Sequence, residues 1–202
     1  MPAIDERYDA ETALVVVDIQ NDFADPEGSL SVDGGDEVVA AVNDEIASAR
    51  AAGATVVYTQ DWHPPSTPHF DTDGGIWPVH CVRDTWGAEF HPQLTVADNA
   101  PVVRKGVDGG DGYSGFSVRD PVSGSETATE LGRILDDAGV RRLVVAGLAG
   151  DVCVKETALD GARLGYAVTV PLSTTRFVDL AAGDDERAIA ELRDAGVDVV
   201  SQ

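Results

Sequence analysis

The feature that most constrains this chain is a regular alternation of short apolar runs with helical segments. The first run, residues 12–19, is almost continuously apolar, which is typical of a parallel strand buried on both faces. Further strands are predicted at residues 54–59, 101–104, 142–148, 166–170 and 197–200, and helices at 36–52, 126–139, 151–164 and 184–195. This order predicts a three-layer α/β/α domain with a mainly parallel sheet.

The length of the chain sets the scale of this domain. With 202 residues, 43% of them hydrophobic, the chain is expected to form a single domain over residues 1–202 with a full core. No stretch approaches the roughly 20 apolar residues of a membrane span. Residues 1–6 carry neither a basic region nor an apolar core of a signal peptide, so the expected location is the cytoplasm.

Net charge is the second strong constraint. The formal charge is -22, from 36 acidic and 14 basic residues. Such an excess repels nucleic acid and anionic membranes, so neither is an expected partner. The acidic residues are dispersed among apolar strands, which favours a folded domain over a disordered one. A carboxylate-rich surface with only two lysines, Lys105 and Lys155, indicates a halophilic protein whose self-repulsion is screened by high salt.

Chemically useful side chains follow several of the predicted strands. Asp18 ends the first, Lys105 follows the third, and Cys153 follows the fourth where a helix begins. Each alone has an ordinary interpretation, as a cap, a surface lysine or a buried thiol. Ligands of parallel sheets bind beyond the carboxyl ends of the strands, so the three together predict a nucleophilic cysteine served by an aspartate and a lysine. The helix start and the lysine are expected to lower the pKa of Cys153.

A long loop at about residues 60–99 contains three of the four histidines. Asp61 and His63 are two residues apart, so on an extended segment they share one face. His69 and His80 lie in a Pro- and Gly-rich stretch that can fold over that face. This set of oxygen and nitrogen ligands suits one divalent transition metal, zinc above all, or iron or manganese. The alternative is an ordinary surface loop with a few histidines, but the clustering of three of the four histidines argues against it.

Six segments have the order and spacing of a known group of motifs. They are VDIQNDF at 17–23, DWH at 61–63, WPVHC at 77–81, RKG at 104–106, YSGF at 113–116 and GLAGDVCV at 147–154. Together they resemble the nicotinamidases (pyrazinamidases), which are isochorismatase-like cysteine hydrolases. The resemblance runs from about residue 14 to residue 170 and implies the α/β/α fold of that superfamily. It also implies hydrolysis of nicotinamide, and of pyrazinamide, with nicotinate and ammonia as the nicotinamide products in NAD salvage.

The resemblance also implies roles for individual residues. The implied catalytic triad is Asp18, Lys105 and Cys153; the implied metal ligands are Asp61, His63 and His80, with His69 as a ligand in some members; the implied walls of the ring pocket are Phe23, Trp77 and Tyr113. A cis peptide before Ala149 would aim the N–H groups of Ala149 and Cys153 into an oxyanion hole. The pattern departs at Gly150, where many members have a threonine, so a local side-chain hydrogen bond is expected to be absent.

Three other functions stay open on the sequence. Isochorismatases share the fold but cleave an enol ether without a cysteine nucleophile, and Cys153 argues against that reaction. Metal-free amidases for carbamoyl compounds share the triad but lack the histidine cluster. A non-catalytic metal-binding or redox-sensing protein could use Cys81 and Cys153, which match no disulfide framework. The oligomeric state is also open, with a homo-oligomer among the options.

Overall fold

The computed structural model describes residues 7–201. Nine strands occur in this part of the chain: β1 (Thr12–Val17), β2 (Thr55–Asp61), β3 (Val102–Lys105), β4 (Ser117–Arg119), β5 (Glu126–Ala128), β6 (Arg142–Leu148), β7 (Ala167–Pro171), β8 (Thr175–Arg176) and β9 (Asp198–Val200). The α-helices are α1 (Asn21–Ala24), α2 (Val38–Ala51), α3 (Leu131–Asp137), α4 (Cys153–Arg163) and α5 (Asp184–Asp194). None of the described helices is long and apolar enough to cross a membrane.

The central sheet is parallel and has β1 near its middle. Its strand order is β3-β2-β1-β6-β7-β9, with the short β8 also paired to β6. All six residues of β1 are buried. Alternate residues of this strand enter opposite cores, with Leu14 and Val16 in one and Ala13 and Val15 in the other. The predicted three-layer α/β/α arrangement with a mainly parallel sheet is therefore confirmed.

One predicted helix is wrong in its first part. Residues 126–139 were expected to be helical, but β5 pairs antiparallel with β4 as a separate hairpin. A turn containing Gly124, at φ +71°, closes this hairpin and directs residues 126–128 into extended pairing. Helix α3 starts only at Leu131, whose N–H donates to the hydroxyl of Thr129 at 3.1 Å. Residues 126–128 have a β-branched threonine at their centre and no buried face. Without an apolar alternation to mark them as a strand, they could not be told from the helix that follows.

The long loop after β2 is held by side chains from the start of the chain. Gln20 donates to the Asp61 carbonyl at 2.8 Å and accepts the Asp61 N–H at 2.8 Å. The Asp22 carboxylate accepts the N–H of Cys81 at 2.7 Å. The loop contains two 3₁₀ turns, Asp71–Asp73 and Trp86–Ala88. These contacts fix the loop above the carboxyl edge of the sheet.

Candidate active site at the carboxyl edge of the sheet

Four adjacent strands deliver the candidate side chains to one edge. Asp18 follows β1, Asp61 ends β2, Lys105 ends β3, and Cys153 begins α4 a few residues after β6. Asp61 and Lys105 are direct partners in the pairing of β2 with β3. All four residues are buried. The sheet thus brings the aspartates, the lysine and the cysteine together, as expected for ligand sites of parallel sheets.

Lys105 is a buried cation between two carboxylates. Its Nζ lies 2.6 Å from Asp18 Oδ2 and 3.0 Å from Asp61 Oδ1, and it donates a further hydrogen bond to the Gly112 carbonyl. Burial alone would lower the pKa of this amine, but the two carboxylates hold the pKa well above its ordinary value. Lys105 is therefore an ammonium that offsets buried negative charge.

The two carboxylates differ in proton affinity. Burial raises the pKa of Asp18, against the opposing effect of Lys105. Burial also acts on Asp61, but the Lys105 ammonium and the nearby imidazoles of His63 and His80 hold its pKa well below the ordinary value. Thr59 donates from its hydroxyl to Asp18 Oδ1 at 2.6 Å and fixes that carboxylate. Asp18 is thus suited to accept and return a proton, while Asp61 stays ionised.

The thiol of Cys153 does not follow the sequence expectation of a lowered pKa. Burial and the neighbouring Asp18 and Asp61 raise the pKa of Cys153 well above its usual range, and Lys105 only partly opposes them. Polar atoms of Cys153, Asp18 and Asp61 all lie within 4.8 Å of one another. The helix start and one lysine are outweighed because two carboxylates share the buried space. These surroundings favour the protonated thiol, and Asp18 lies next to it as a proton acceptor.

Residues 149–153, here called the oxyanion turn, connect β6 to α4. The Leu148–Ala149 peptide is cis, at the position that the resemblance implied. The Ala149 carbonyl accepts the N–H groups of Val152 and Val154 at 3.1 and 3.0 Å. The N–H groups of Ala149 and Cys153 have no hydrogen-bond partner among residues 7–201. Two free donors beside a thiol suit an anionic oxygen that forms during acyl transfer.

The three loop histidines form one cluster. Ring nitrogens of His63, His69 and His80 lie within 4.8 Å of one another. His80 Nδ1 donates to the Pro78 carbonyl at 2.6 Å, and His69 Nδ1 lies 2.7 Å from Asp111 Oδ1. Each of these bonds leaves the Nε2 lone pair of its ring available. Neither nitrogen of the buried His63 has a partner within the described part of the chain.

This cluster fits a divalent metal. Asp61 Oδ2 lies 3.7 Å from His63 Nε2 and 3.8 Å from His80 Nε2, too far for hydrogen bonds. Such spacing is close to that of atoms sharing one cation at about 2.1 Å each. Orphaned imidazole nitrogens in a buried site are explained by such an ion. The second group of potential ligands, Asp18, Asp61 and Cys153, already surrounds the Lys105 ammonium.

A pocket opens between the thiol and the histidines, with about 390 Å³ of space between its lining atoms, part of it open to solvent. Its lining includes the three aromatic residues expected to wall a ring, Phe23, Trp77 and Tyr113. Trp77 donates from Nε1 to the Tyr113 hydroxyl at 3.0 Å, and the rings of Phe23 and His80 lie 5.4 Å apart. The remaining lining is Leu30, Val32, Asp61, His69, His80, Gly112, Ala149, Val152, Cys153 and Val178. The predicted site residues therefore line or adjoin one pocket.

Several supporting residues escaped the sequence reasoning. Thr59, which orients Asp18, is two residues before Asp61 on β2 and could have been found from the two-residue period of a strand. Asp111, which orients His69, lies 42 positions away in sequence and gives no local signal. Gly112 offers its carbonyl to Lys105, and a Cβ there would lie 2.7 Å from Asp61 Oδ1. Close approach of this backbone therefore requires glycine.

Comparison with known proteins agrees with this architecture. The model of the isochorismatase domain family matches residues 12–202. A nicotinamidase/pyrazinamidase of Mycobacterium tuberculosis is 39% identical over 93% of this chain and 97% of its own. The pyrazinamidase of Pyrococcus horikoshii, solved in complex with zinc, is 36% identical with a TM-score of 0.84, covering 95% of this chain and 99% of its own. The PnC1 protein of L. infantum, solved with nicotinate, is 36% identical with a TM-score of 0.86, covering 95% and 92%.

The fold and the buried thiol beside an acid and an ammonium are those of an isochorismatase-like cysteine hydrolase. The chain belongs to the isochorismatase family, and its similarity to the nicotinamidase and pyrazinamidase relatives extends over nearly its whole length.

Proposed function

We propose that this protein is a metal-dependent cysteine amidohydrolase that converts nicotinamide to nicotinate and ammonia. One observation carries the proposal. The Cys153 thiol, the two unpartnered N–H groups and the histidine cluster adjoin the same pocket. An aromatic carboxamide spans these features, with its ring between aromatic walls and its amide carbon at the thiol. Nicotinamidase relatives with similar length support this substrate.

The residues perform the reaction as follows. As Cys153 Sγ bonds to the amide carbon, Asp18 takes the thiol proton, and the N–H groups of Ala149 and Cys153 bind the oxygen that gains negative charge. Asp18 then gives the proton to the leaving nitrogen, the C–N bond breaks, and ammonia departs. A water molecule, losing a proton to Asp18, attacks the thioester carbon. The C–S bond breaks, the proton returns to sulfur, and nicotinate is released.

Lys105 and Asp61 have separate roles in this proposal. Lys105 keeps Asp18 in place at 2.6 Å and limits the accumulation of negative charge when the thiol is deprotonated. Asp61, His63, His69 and His80 would hold the divalent metal. We propose zinc first, since the similar pyrazinamidase of Pyrococcus horikoshii was solved with zinc, and iron or manganese as the alternatives. When bound, the ion supplies an acceptor site for the lone pair of a ring nitrogen and so orients the substrate.

The proposal extends to the setting of the enzyme. We assign the reaction to NAD salvage in the cytoplasm, with pyrazinamide as an additional substrate. Among the described acidic residues only Asp18, Asp22, Glu45, Asp61 and Asp111 are buried. Nearly all of the excess negative charge is therefore at the surface, which supports adaptation to high salt.

Ammonia release from nicotinamide tests the function. We expect turnover by the purified protein, loss of turnover after chelation, and recovery when zinc, iron or manganese is returned. Metal analysis of the protein as purified should find about one ion per chain. Turnover that survives complete removal of metal would instead indicate a metal-free amidase. Metal binding with no hydrolysis of any aromatic or carbamoyl amide would indicate a non-catalytic protein.

A further inference from the structure

Residues 176–179, here called the clamp, lie directly against the oxyanion turn. Arg176 ends β8, which pairs with β6 next to that turn. The Gly150 N–H donates to the Arg176 carbonyl at 2.8 Å. The Arg176 guanidinium also lies 3.2 Å from Glu37, just before α2. The clamp is thus joined to the sheet and contacts the backbone that separates Ala149 from Cys153.

Asp151 makes a second connection between these two segments. Its Oδ1 accepts the N–H of Val178 at 2.9 Å, and its Oδ2 accepts the N–H of Asp179 at 2.8 Å. Both oxygens of one carboxylate are therefore used to bind the clamp backbone. Asp151 is within the oxyanion turn, but it does not line the cavity, whereas Val178 does. The carboxylate has no contact with the substrate cavity that would explain these bonds.

Gly150 and Phe177 make a third connection. A Cβ built on Gly150 would lie 2.6 Å from Phe177 Cε1 and 2.9 Å from Cδ1. Gly150 does not have a positive φ, so backbone conformation does not require glycine there. The ring of Phe177 requires it, because it occupies the space into which any side chain at position 150 would project. Gly150, where the resemblance led us to expect a threonine, therefore contacts an aromatic ring of the clamp.

We propose that the clamp positions the oxyanion turn, with Asp151 and Phe177 as positioning residues for the N–H groups of Ala149 and Cys153. Three contacts made by two consecutive residues of the turn, Gly150 and Asp151, restrict its movement against the sheet. The two N–H groups flank these contacts, so their mutual direction depends on them. This inference rests on the proposed function for its substrate, but it concerns the geometry of the turn.

Two ligands separate positioning of the turn from general damage to the pocket. Pyridine-3-carbaldehyde adds to Cys153: the S–C bond forms, the carbonyl π bond opens, and the oxygen receives the thiol proton. That oxygen lies at the N–H pair, so the affinity of the aldehyde reports on the oxyanion turn. Nicotinate has the same ring, forms no bond to sulfur, and reports on the ring pocket. The measured quantities are the Kd of each ligand, kcat and KM for nicotinamide, and metal content.

Asp151→Asn tests the carboxylate. We expect aldehyde Kd to rise and kcat to fall by roughly 10–100-fold, since a misplaced oxyanion donor has effects of this order. Nicotinate Kd, KM and metal content should change less than about twofold. Asp120→Asn is the matched control, because Asp120 also accepts two backbone N–H groups, from Val122 and Ser123 at 2.9 and 2.7 Å, in an exposed hairpin. The control should leave every quantity unchanged.

A double-mutant cycle tests the ring contact. Gly150→Ala alone should lower kcat and aldehyde affinity, because its methyl group meets the ring of Phe177. Phe177→Ala alone should have a smaller effect, and Phe177→Leu should retain most activity. The double variant should be no worse than Phe177→Ala, since the clash is then absent. Additive losses in the cycle would overturn the contact as the reason for glycine.

The possible failures are distinguishable. If wild-type protein releases no ammonia from nicotinamide, the proposed function is wrong. The clamp proposal can still be tested in that case, by the ratio of aldehyde affinities between variant and wild type. If Asp151→Asn leaves aldehyde affinity and kcat unchanged, the clamp proposal is wrong. Parallel loss of aldehyde and nicotinate affinity would also overturn it, because the substitution would then act on the whole pocket. If Asp151→Asn does not fold, Asp151→Glu replaces it. The ratios of aldehyde Kd and nicotinate Kd between variant and wild type then test the proposal in the same way.

Discussion

The two halves of the candidate site contrast in how their charges and hydrogen bonds are satisfied. On the thiol side, the Lys105 ammonium lies within 3.0 Å of both Asp18 and Asp61, so the buried charges are partnered inside the protein. On the histidine side, His63 has two buried nitrogens with no partner in the described chain. Asp61 is common to both, facing Lys105 through Oδ1 and the histidines through Oδ2.

This difference indicates which half of the site requires a bound ion. The thiol side can exchange a proton between Cys153 and Asp18 without a cofactor, because the cation it needs is a side chain. The histidine side brings unpartnered ring nitrogens and a carboxylate oxygen of Asp61 close together, so a positive ion bound among them would satisfy these buried groups. Asp61 belongs to both sides. We therefore expect a substitution on one side to affect the other side only through the Asp61 carboxylate.

The largest expected effect separates the two cysteines. Cys153→Ala removes the nucleophile and should reduce kcat by at least about 10⁴-fold. Cys81→Ala, next to His80 and buried in the core, should retain most activity, with a modest loss through ligand placement. Ammonia release, metal content and circular dichroism should be measured for both. Comparable losses in both variants, with Cys153→Ala still turning over, would contradict the assignment of the nucleophile.

The second prediction compares Lys105 with His80 in metal-free protein. Lys105→Met leaves Asp18 and Asp61 buried without their cation, so the free energy of unfolding should fall by about 3–5 kcal/mol. His80→Gln leaves Asp18, Asp61 and Lys105 in place and should cost on the order of 1 kcal/mol, from the lost bond to the Pro78 carbonyl. Urea unfolding of both chelated variants measures these values.

Added metal extends this comparison. A bound ion stabilises the folded state in proportion to its affinity, so wild-type protein should gain stability on addition of zinc and His80→Gln should gain much less. Equal destabilisation of the metal-free protein by the two substitutions would show that the thiol and histidine sides do not differ in charge balance.

The third prediction concerns substrate recognition by the histidine side. Benzamide has the shape and carboxamide of nicotinamide but no ring nitrogen. We expect kcat/KM to be about 10²–10³-fold lower for benzamide, less than the roughly 10⁴–10⁵ of sites with an unsatisfied buried donor, since a metal can keep its water. Chelation should lower nicotinamide turnover strongly and change residual benzamide turnover little. Equal efficiency toward both amides would mean that the ring nitrogen is not recognised.

How much the sequence could predict differs between these regions. Strand β1 could be predicted because its sequence is an almost continuous apolar run, and residues that follow parallel strands necessarily meet at one edge. The hairpin of β4 and β5 was missed because its pairing is exposed and depends on a turn at Gly124. The direction of the Cys153 pKa was wrong because desolvation by the surrounding chain carries no sequence signal. Asp111 and the contact of Phe177 with Gly150 were missed for the same reason, since they join distant segments.

The smallest expected effect concerns salt and compares the buried site with the surface. With a formal charge of -22, the folded state should be destabilised by repulsion in dilute buffer. Molar KCl shortens the Debye length to about 3 Å, and it screens exposed charges far more than buried ones. We expect the melting temperature to rise by roughly 5–8 °C from low salt to molar KCl, which for this length corresponds to about 2 kcal/mol. Activity should rise with it.

Screening of surface charge can be tested by comparing the effect of salt on overall stability with its effect on the buried ion pair. Because Lys105 and Asp18 are wholly buried, salt should leave the difference in stability between wild type and Lys105→Met nearly constant while both proteins become more stable. NaCl should act like KCl at equal ionic strength, since screening depends on ionic strength rather than on the cation. A melting temperature that stays flat across this range would refute adaptation to high salt and leave the proposed catalysis untouched, because the charges that serve catalysis are balanced inside the protein.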